Sequence, residues 1–373
     1  MSPLLPVERL ISNGVVVDDL ERATRRYAEI LGIDTWEVRE LGPDRLSDVT
    51  SYGRSVAASF RTATGTTVGA PRESGVAPGP DGVPVTFELV QPLSGETPFQ
   101  EFRFRRKQGI SHLTLVSASR AEFAGIRDRL ADAGIRVSAS MTVDGEVERH
   151  FVDTRKVLGG YHVEVVVSDD PAPALPPDEI WDHSGTYERP EGVGPLPVQG
   201  VGHFGIVVHD VVETIHRYHE VLGVEQFRMR DWRTEPGLLD KPFYRGEEVD
   251  HEYYTGLGSF RDFAFEIIEP TFGPSHYNRE YRDLYGEGVH HLLLSVTADE
   301  ELWRRNREWL TSIGVPLAMG SPLVGGSGEF VYYDTADALG GWMLEATCRH
   351  FAAEPHLIQP HYVIDFAALT ALV

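Results

Sequence analysis

The chain has 373 residues, 41% hydrophobic and 24% charged, an ordinary globular composition that excludes a mainly disordered chain, a collagen-like repeat and a coiled coil. Its 34 basic and 57 acidic residues give a net charge of −23, which argues against nucleic acid and anionic membrane surfaces as partners. The single cysteine, Cys348, excludes an intrachain disulfide framework and a cysteine-based zinc cluster; with no signal-like start and no apolar run of membrane-spanning length, we expect a cytoplasmic protein.

The first half of the sequence contains two cycles of the same predicted elements: one strand, one helix and three further strands. In the first cycle, a β-branched run precedes a segment of helical periodicity that ends at Gly32. Its helix is predicted at 19–31 and its strands at 11–17, 35–40, 56–62 and 85–90. The second cycle has a helix at 120–133 and strands at 110–116, 137–143, 149–153 and 161–167.

The second half of the sequence repeats the first. The seven residues from Arg26 to Gly32 correspond to the seven from Arg217 to Gly223, and the later segments match in the same order. The third cycle begins with a strand at 201–208 and the fourth with a strand at 289–296, each followed by a helix. Because chance matching does not keep such an order, we predict an α+β fold of four βαβββ modules that form two tandem paired-module domains.

Between the halves lies a connector at 168–198 with seven prolines, which lack the N–H group that a helix needs. We therefore place an N-terminal two-module domain at 1–167, a C-terminal one at 199–349 and an apolar tail at 350–373. The apolar side chains of the tail must be covered by this chain or by a second copy, so a homodimer is one expectation.

One set of polar residues recurs at equivalent places in the cycles, with histidines on first strands and glutamates on last strands. The glutamates stand inside apolar runs, and a carboxylate facing a dry sheet interior is costly unless it is paired, protonated or bound to a metal. Imidazole and carboxylate together suit Zn, Fe, Mn, Co or Ni. The set consists of His112, His203, His291, Glu88, Glu164, Glu266 and Glu345.

Other polar residues lie near this set. His290 precedes His291 and should face the opposite side of its strand, where we expect a polar outer residue. Tyr253, Tyr254 and Arg228 come from the second and third strands of the third module, whose inner face would line a substrate cavity. The sequence does not select among these three.

The pattern resembles the vicinal oxygen chelate superfamily, which includes glyoxalase I, methylmalonyl-CoA epimerase, extradiol dioxygenases and bleomycin-resistance proteins. Its most specific parts are the run His203-Phe-Gly-Ile-Val-Val-His-Asp and the segment from Asp334 to Glu345. The resemblance implies that two modules pair into a cup-shaped sheet of eight strands. It also implies one divalent metal (Zn, Co, Ni, Mn or Fe), held by His203, Glu266, His291 and Glu345.

The N-terminal pair of modules departs from this pattern. Glu88, His112 and Glu164 match, but the fourth position falls on Ser12, or on Asn13 if the strand slips by one residue. Neither a hydroxyl nor a carboxamide is a good ligand for a transition metal. We therefore expect the N-terminal site to be empty or weakly metallated.

The resemblance implies first a metal-dependent epimerase or isomerase. Glu266 or Glu345 would remove a proton next to a metal-chelated carbonyl. The expected partner is a small molecule with vicinal oxygens: a keto-polyol, a cyclitol or an acyl compound. Four-module epimerases of 2-epi-5-epi-valiolone are a looser match than the superfamily itself.

Two other classes of function compete. An extradiol-type Fe(II) ring-cleavage dioxygenase would use His203, His291 and Glu345 as its ligands, but its usual Asp-Pro-Gly segment is absent, since the run from Tyr333 to Asp337 contains no proline. A metal-free small-molecule binding or resistance protein would not need the complete ligand set. A glutathione- or thiol-linked glyoxalase or lyase is the remaining alternative.

Overall fold

The computed structural model of the chain describes residues 2–73, 79–170 and 175–370. Pro171 and Pro173 of the predicted connector, and the end of the predicted tail, lie outside these residues. Among the described residues, none of the helices combines the length and the apolar character that a membrane crossing requires.

Both predicted cycles of the first half are present as helices and strands. The first helix begins after Asp19, whose side chain accepts a hydrogen bond from the backbone N–H of Arg22, and ends at Gly32, which adopts the left-handed conformation (φ 71°). The elements are β1 Ser12–Val16, α1 Leu20–Leu31, β2 Thr35–Leu41, β3 Leu46–Ser51, β4 Arg54–Ser55, β5 Ala58–Thr66, β6 Thr86–Gly95, α2 Pro98–Arg106, β7 Gly109–Ala118, α3 Arg120–Asp132, β8 Val137–Val143, β9 Val147–Val152, α4 Arg155–Leu158, β10 His162–Val167 and β11 Glu179–Asp182.

The second half repeats this order. Asp210 caps its first helix as Asp19 does in the first half, and a π-helical segment, His276–Arg282, stands between the two modules. The elements are β12 His203–Val207, α5 Val211–Leu222, β13 Gln226–Arg233, β14 Phe243–Tyr244, β15 Glu247–Glu248, β16 Glu252–Phe260, β17 Phe263–Phe272, α6 Asp283–Tyr285, β18 Gly288–Thr297, α7 Glu300–Ser312, β19 Leu317–Leu323, β20 Gly328–Tyr333, α8 Ala336–Leu339, β21 Met343–Arg349, α9 Pro355–Ile358, β22 Tyr362–Asp365 and α10 Phe366–Thr370.

Each half forms one curled sheet from two modules, which confirms the predicted α+β fold. The strand orders are β11-β2-β5-β6-β1-β7-β10-β9-β8-β3-β4 and β15-β14-β19-β20-β21-β18-β12-β17-β16-β13-β22. The two modules of each half meet at their first strands, which run antiparallel: β1 with β7 and β12 with β18.

The expected number of eight strands per sheet is wrong, because each sheet has eleven strands within the described part of the chain. The additional strands lie at the edges: β11 covers β2, β3 covers β8, β14 covers β19 and β22 covers β13. An uncovered edge strand offers unpaired backbone groups to other chains, and these added strands cover the longer strands that would otherwise form the edges.

Part of the connector, within residues 175–198, contacts the first half. Its strand β11 pairs with β2, and the hydroxyl of Tyr187 donates a hydrogen bond to Asp34 Oδ1 at 2.5 Å. The domain limits at 167, 198 and 349 remain our proposal.

The largest hydrophobic core lies between the two halves and includes residues of both. A smaller cluster lies on the inner face of each curled sheet. In the first half it contains phenylalanines such as Phe60, Phe99 and Phe151. In the second half it contains tyrosines, and it surrounds the side chains that carry chemistry.

Candidate metal centre

Four side chains from four neighbouring strands converge in the second half. His203 on β12, Glu266 on β17, His291 on β18 and Glu345 on β21 place their ligand atoms within 4.8 Å of one another. The strands follow one another in the order β17-β12-β18-β21, and Gly205 on β12 stands opposite both Glu266 and His291. The structure thus brings together all four residues that the sequence selected as metal ligands.

The spacing of the four ligand atoms suits one small cation. His203 Nε2 lies 2.8 Å from Glu345 Oε2 and 3.2 Å from His291 Nε2, and His291 Nε2 lies 3.1 Å from Glu345 Oε2. Glu266 Oε2 stands further off, 3.4 Å from His203 Nε2 and 3.6 Å from His291 Nε2. Ligands at about 2.0–2.2 Å from one metal are separated by roughly 2.8–3.6 Å in octahedral or tetrahedral geometry, a range that covers these distances.

A glycine makes room for the ring of His291. A Cβ atom on Gly205 would lie 1.8 Å from this ring, so the imidazole packs directly against the backbone of β12. Gly14 accommodates His112 in the same way in the first half, with a Cβ distance of 1.9 Å. In the sequence, a glycine two residues after the first-strand position was the available signal for this close approach.

The charges of the four side chains favour a positive charge between them. Burial lowers the pKa of His203, but the carboxylates of Glu266 and Glu345 outweigh burial and raise this pKa to about 9. Burial raises the pKa of Glu345, but His203 and His291 reverse the effect and lower it to about 2. The two carboxylates favour a positive charge beside them, and together with two imidazoles they form a ligand set that fits the divalent cation expected from the sequence.

Three buried tyrosines surround the ligand atoms. The ring centroid of Tyr332 lies 4.7 Å from that of His291, and the hydroxyls of Tyr277 and Tyr332 are 2.6 Å apart. The ring of Tyr253 packs edge-on against Tyr277 at 5.2 Å. Burial holds the pKa of all three phenols well above the ordinary value, so they stay neutral hydrogen-bond donors.

The three residues that the sequence left open have different positions. Tyr253 is one of the three buried tyrosines, Tyr253, Tyr277 and Tyr332, which we call the tyrosine wall. Arg228 is exposed, and the hydroxyl of Tyr254 contacts that of Tyr362 in the tail. Tyr277 and Tyr332 gave no signal in the sequence, because their position depends on the π-helical segment and on the pairing of β20 with β21.

The expected outer position of His290 is wrong. His290 is fully buried, because the π-helical segment covers this face of β18, and its ring centroid lies 4.9 Å from that of His276. Its Nδ1 lies 3.0 Å from His291 Nδ1. His290 therefore contacts a candidate metal ligand from behind.

The first half holds a second cluster, in which Glu88, His112 and Glu164 have ligand atoms within 4.8 Å of one another. Arg149 on β9 lies among them and is 8% exposed. Its Nη1 and Nη2 donate to the two oxygens of Glu88 at 2.8 and 2.6 Å, and its Nε donates to Glu164. One guanidinium thus pairs with both carboxylates.

The strand register shows which residue replaces the fourth ligand in the first half. Ser12 pairs with Thr114 as His203 pairs with Leu293, so Ser12 rather than Asn13 corresponds to His203. The hydroxyl of Ser12 donates to Thr114 Oγ1 at 2.9 Å, and Thr114 donates to Glu164 Oε2 at 2.6 Å.

Comparison with known proteins gives a family match for the first half of the chain. The model of the Glyoxalase/Bleomycin resistance protein/Dioxygenase superfamily matches residues 13–152. A comparison with curated proteins finds no match.

Two solved structures are similar to this chain, and the first of them shows the same fold. A mutant of 4-hydroxymandelate synthase from Streptomyces coelicolor is 16% identical with a TM-score of 0.51, and the similarity covers 98% of this chain and 96% of that one. Methylmalonyl-CoA epimerase from Mycobacterium tuberculosis is 19% identical with a TM-score of 0.27, over 45% of this chain and 96% of that one. Residues 13–152 are thus similar to the Glyoxalase/Bleomycin resistance protein/Dioxygenase superfamily, and the second half repeats the strand and helix order of these matched modules.

Proposed function

We propose that this protein is a metal-dependent epimerase or isomerase that moves a proton next to a carbonyl group of a small substrate with vicinal oxygens. The observation that carries this proposal is the convergence of His203, Glu266, His291 and Glu345. These residues would hold one divalent cation, which supplies a Lewis acid for the substrate oxygens when it is bound.

The two glutamates differ in a way that supports Glu266 as the base. Glu345 Oε2 lies 2.8 Å from His203 Nε2 and 3.1 Å from His291 Nε2, so it is the more closely held of the two carboxylates. The side chain of Glu266 is 16% exposed and lies at least 3.4 Å from either imidazole. A carboxylate held this loosely can turn towards a substrate and accept its proton.

The tyrosine wall supports the same chemistry. Tyr253, Tyr277 and Tyr332 are buried and neutral, so they exclude water and offer O–H donors beside the four ligand side chains. Such donors stabilise negative charge that develops on a substrate oxygen once its neighbouring carbon loses a proton.

An Fe(II)-dependent dioxygenase is the second candidate, and one observation favours it. His203, His291 and Glu345 form the tightest part of the set, with separations of 2.8, 3.1 and 3.2 Å. Two imidazoles and one carboxylate on one face are the ligand set of non-haem Fe(II) oxygenases. In this alternative Glu266 would not act as a proton acceptor.

Isotope exchange and metal analysis distinguish the two candidates. The purified chain should carry about one divalent cation, as one complete ligand set implies, and should lose it in His291→Ala but not in the matched control His112→Ala. With keto-cyclitols or α-substituted acyl compounds in D₂O, deuterium should enter next to the carbonyl without consumption of O₂. Glu266→Gln should slow this exchange by roughly 10²–10⁴-fold.

Three results would count against the proposal. Full cation content in His291→Ala would remove the assigned site. Exchange at an unchanged rate in Glu266→Gln would remove the assigned base. Ring cleavage of a catechol with uptake of O₂ would favour the dioxygenase.

A further inference from the structure

A chain of imidazoles leads from the candidate metal centre to the surface of the second half. His290 Nδ1 lies 3.0 Å from His291 Nδ1, and His290 Nε2 lies 2.8 Å from His276 Nδ1. His276 Nε2 lies 3.7 Å from Glu280 Oε2, four residues further along the π-helical segment. His290 and His276 are 0% and 4% exposed, so water does not compete for these contacts.

In a neutral imidazole one ring nitrogen donates and the other accepts, so the hydrogen bonds along this series of histidines run in one direction. The Nε2 atom of His291 faces Glu345 and His203, so as a metal ligand His291 carries its proton on Nδ1. That proton is donated to Nδ1 of His290, which leaves the His290 proton on Nε2. His290 then donates to Nδ1 of His276, whose own proton on Nε2 faces the carboxylate of Glu280.

The far end of the chain is anchored. Glu280 accepts hydrogen bonds from the hydroxyl of Tyr244 at 2.6 Å and from Nε of Arg245 at 2.7 Å. Burial lowers the pKa of His276 to about 4, so its ring is neutral near pH 7, as a donor–acceptor chain requires.

The first half provides an internal comparison. Ser111 takes the place of His290 there, and its hydroxyl lies 2.9 Å from His112 Nδ1. The incomplete ligand set is therefore backed by a single serine, whereas the complete set is backed by two histidines and a carboxylate.

We propose that His290, His276 and Glu280 are positioning residues that hold His291 in its Nδ1–H tautomer and so aim its Nε2 lone pair at the cation. The proposal rests on the metal site assigned above. An outer partner that fixes the tautomer of a ligand histidine also strengthens the ligand, and its loss typically weakens metal binding by about 10–100-fold.

Competition between the protein and a chromophoric chelator for Zn²⁺ tests the proposal. His276→Phe keeps a ring but removes the acceptor for His290 Nε2–H, so Zn²⁺ affinity should fall, by at most the roughly 10–100-fold that follows loss of a partner of the ligand itself. His276→Asn keeps an acceptor oxygen near the former Nδ1 and should bind Zn²⁺ nearly as the unaltered chain does. Ser111→Ala, the matched control in the first half, should leave both affinity and stoichiometry unchanged.

A second measurement needs no substitution. Long-range ¹⁵N–¹H NMR spectra of the Zn²⁺-bound chain should show protonated Nδ1 on His291 and protonated Nε2 on His290 and His276. A different tautomer on His290, or equal Zn²⁺ affinity in His276→Phe and the unaltered protein, would overturn the hydrogen-bond relay from His291 to Glu280 while leaving the metal site intact. Equal Zn²⁺ binding by His291→Ala and the unaltered chain would instead overturn the metal site, and the relay with it.

Discussion

Arg149 holds in the first half the place that we assign to a cation in the second. In the strand register, Phe151 lies opposite Glu164, and Tyr332 lies opposite Glu345. Arg149 stands two residues before Phe151, so its counterpart in the second half is Phe330, two residues before Tyr332. One half therefore combines serine at the first ligand position with arginine on β9, and the other combines histidine with phenylalanine on β20. The buried carboxylates Glu88 and Glu164 have a counter-charge without a metal.

Removal of this counter-charge should destabilise the first half strongly. In Arg149→Leu, two buried carboxylates lose their guanidinium partner, and breaking a buried ion pair in this way typically costs about 3–5 kcal/mol. Arg120→Leu is the matched control, because Arg120 pairs with Glu148 and Asp169 at the surface, where such pairs contribute about 0–1 kcal/mol. The midpoint of urea unfolding, followed by circular dichroism, measures both effects.

The same variant tests whether arginine is what keeps a metal out. Zn²⁺ should restore part of the lost stability of Arg149→Leu, since Glu88, His112 and Glu164 are then free to bind it. It should not do so in Arg149→Leu/His112→Ala. Equal unfolding midpoints for Arg149→Leu and Arg120→Leu would show that the buried pairs contribute little.

At the scale of elements, the tail covers an edge of the second sheet. The strand β22 pairs with β13, and the ring of Phe366 stacks on His219 of α5 with a centroid distance of 4.2 Å. The tail thus docks on its own chain, which is one of the two arrangements expected from the sequence. Other apolar side chains of the tail, Phe351 and Ile358 among them, are 60% and 57% exposed, and the homodimer stays a prediction.

Phe366 should hold this strand in place. Truncation of a buried phenylalanine typically costs about 3–5 kcal/mol of stability. At Phe366 this cost is limited by the free energy with which the tail docks, because the tail can detach while the rest stays folded. In Phe366→Ala, the backbone amides of β22 should exchange with solvent about tenfold faster or more, while those of β21 keep their rates. Hydrogen exchange followed by mass spectrometry measures this, with Phe351→Ala as control; an unchanged rate in β22 would mean that other contacts hold the tail.

At the scale of the whole molecule, the two halves are joined by equivalent contacts on either side. Helix α1 of the first module packs on α8 of the fourth, and α5 of the third module packs on α4 of the second. The hydroxyl of Tyr27 donates to the carbonyl of Leu339 at 2.8 Å and accepts from Nε1 of Trp342 at 2.9 Å. Tyr218, the counterpart of Tyr27, donates to the carbonyl of Leu158 at 2.9 Å.

The loss of one such hydroxyl should weaken the association of the halves. Tyr27→Phe leaves the indole N–H of Trp342 and the carbonyl of Leu339 buried without this partner, which typically costs about 1–3 kcal/mol. Tyr285→Phe, at a tyrosine that is 38% exposed, should change stability by less than about 0.5 kcal/mol. Thermal unfolding compares the two, and a Tyr27→Phe midpoint equal to that of Tyr285→Phe would contradict a role for this contact.

The four modules and the four candidate ligands could be predicted because both depend on repetition along the chain. A duplicated module keeps its hydrophobic period and its strand positions, so His203, Glu266, His291 and Glu345 could be selected before any strand pairing was known. Only tertiary structure determined what surrounds them. Arg149, Tyr332 and the edge strands take their places through pairings between distant strands, and His276 reaches His290 because a π-helical segment folds back over β18. These contacts depend on register and on the covering of sheet faces, which leave no periodic mark in the sequence.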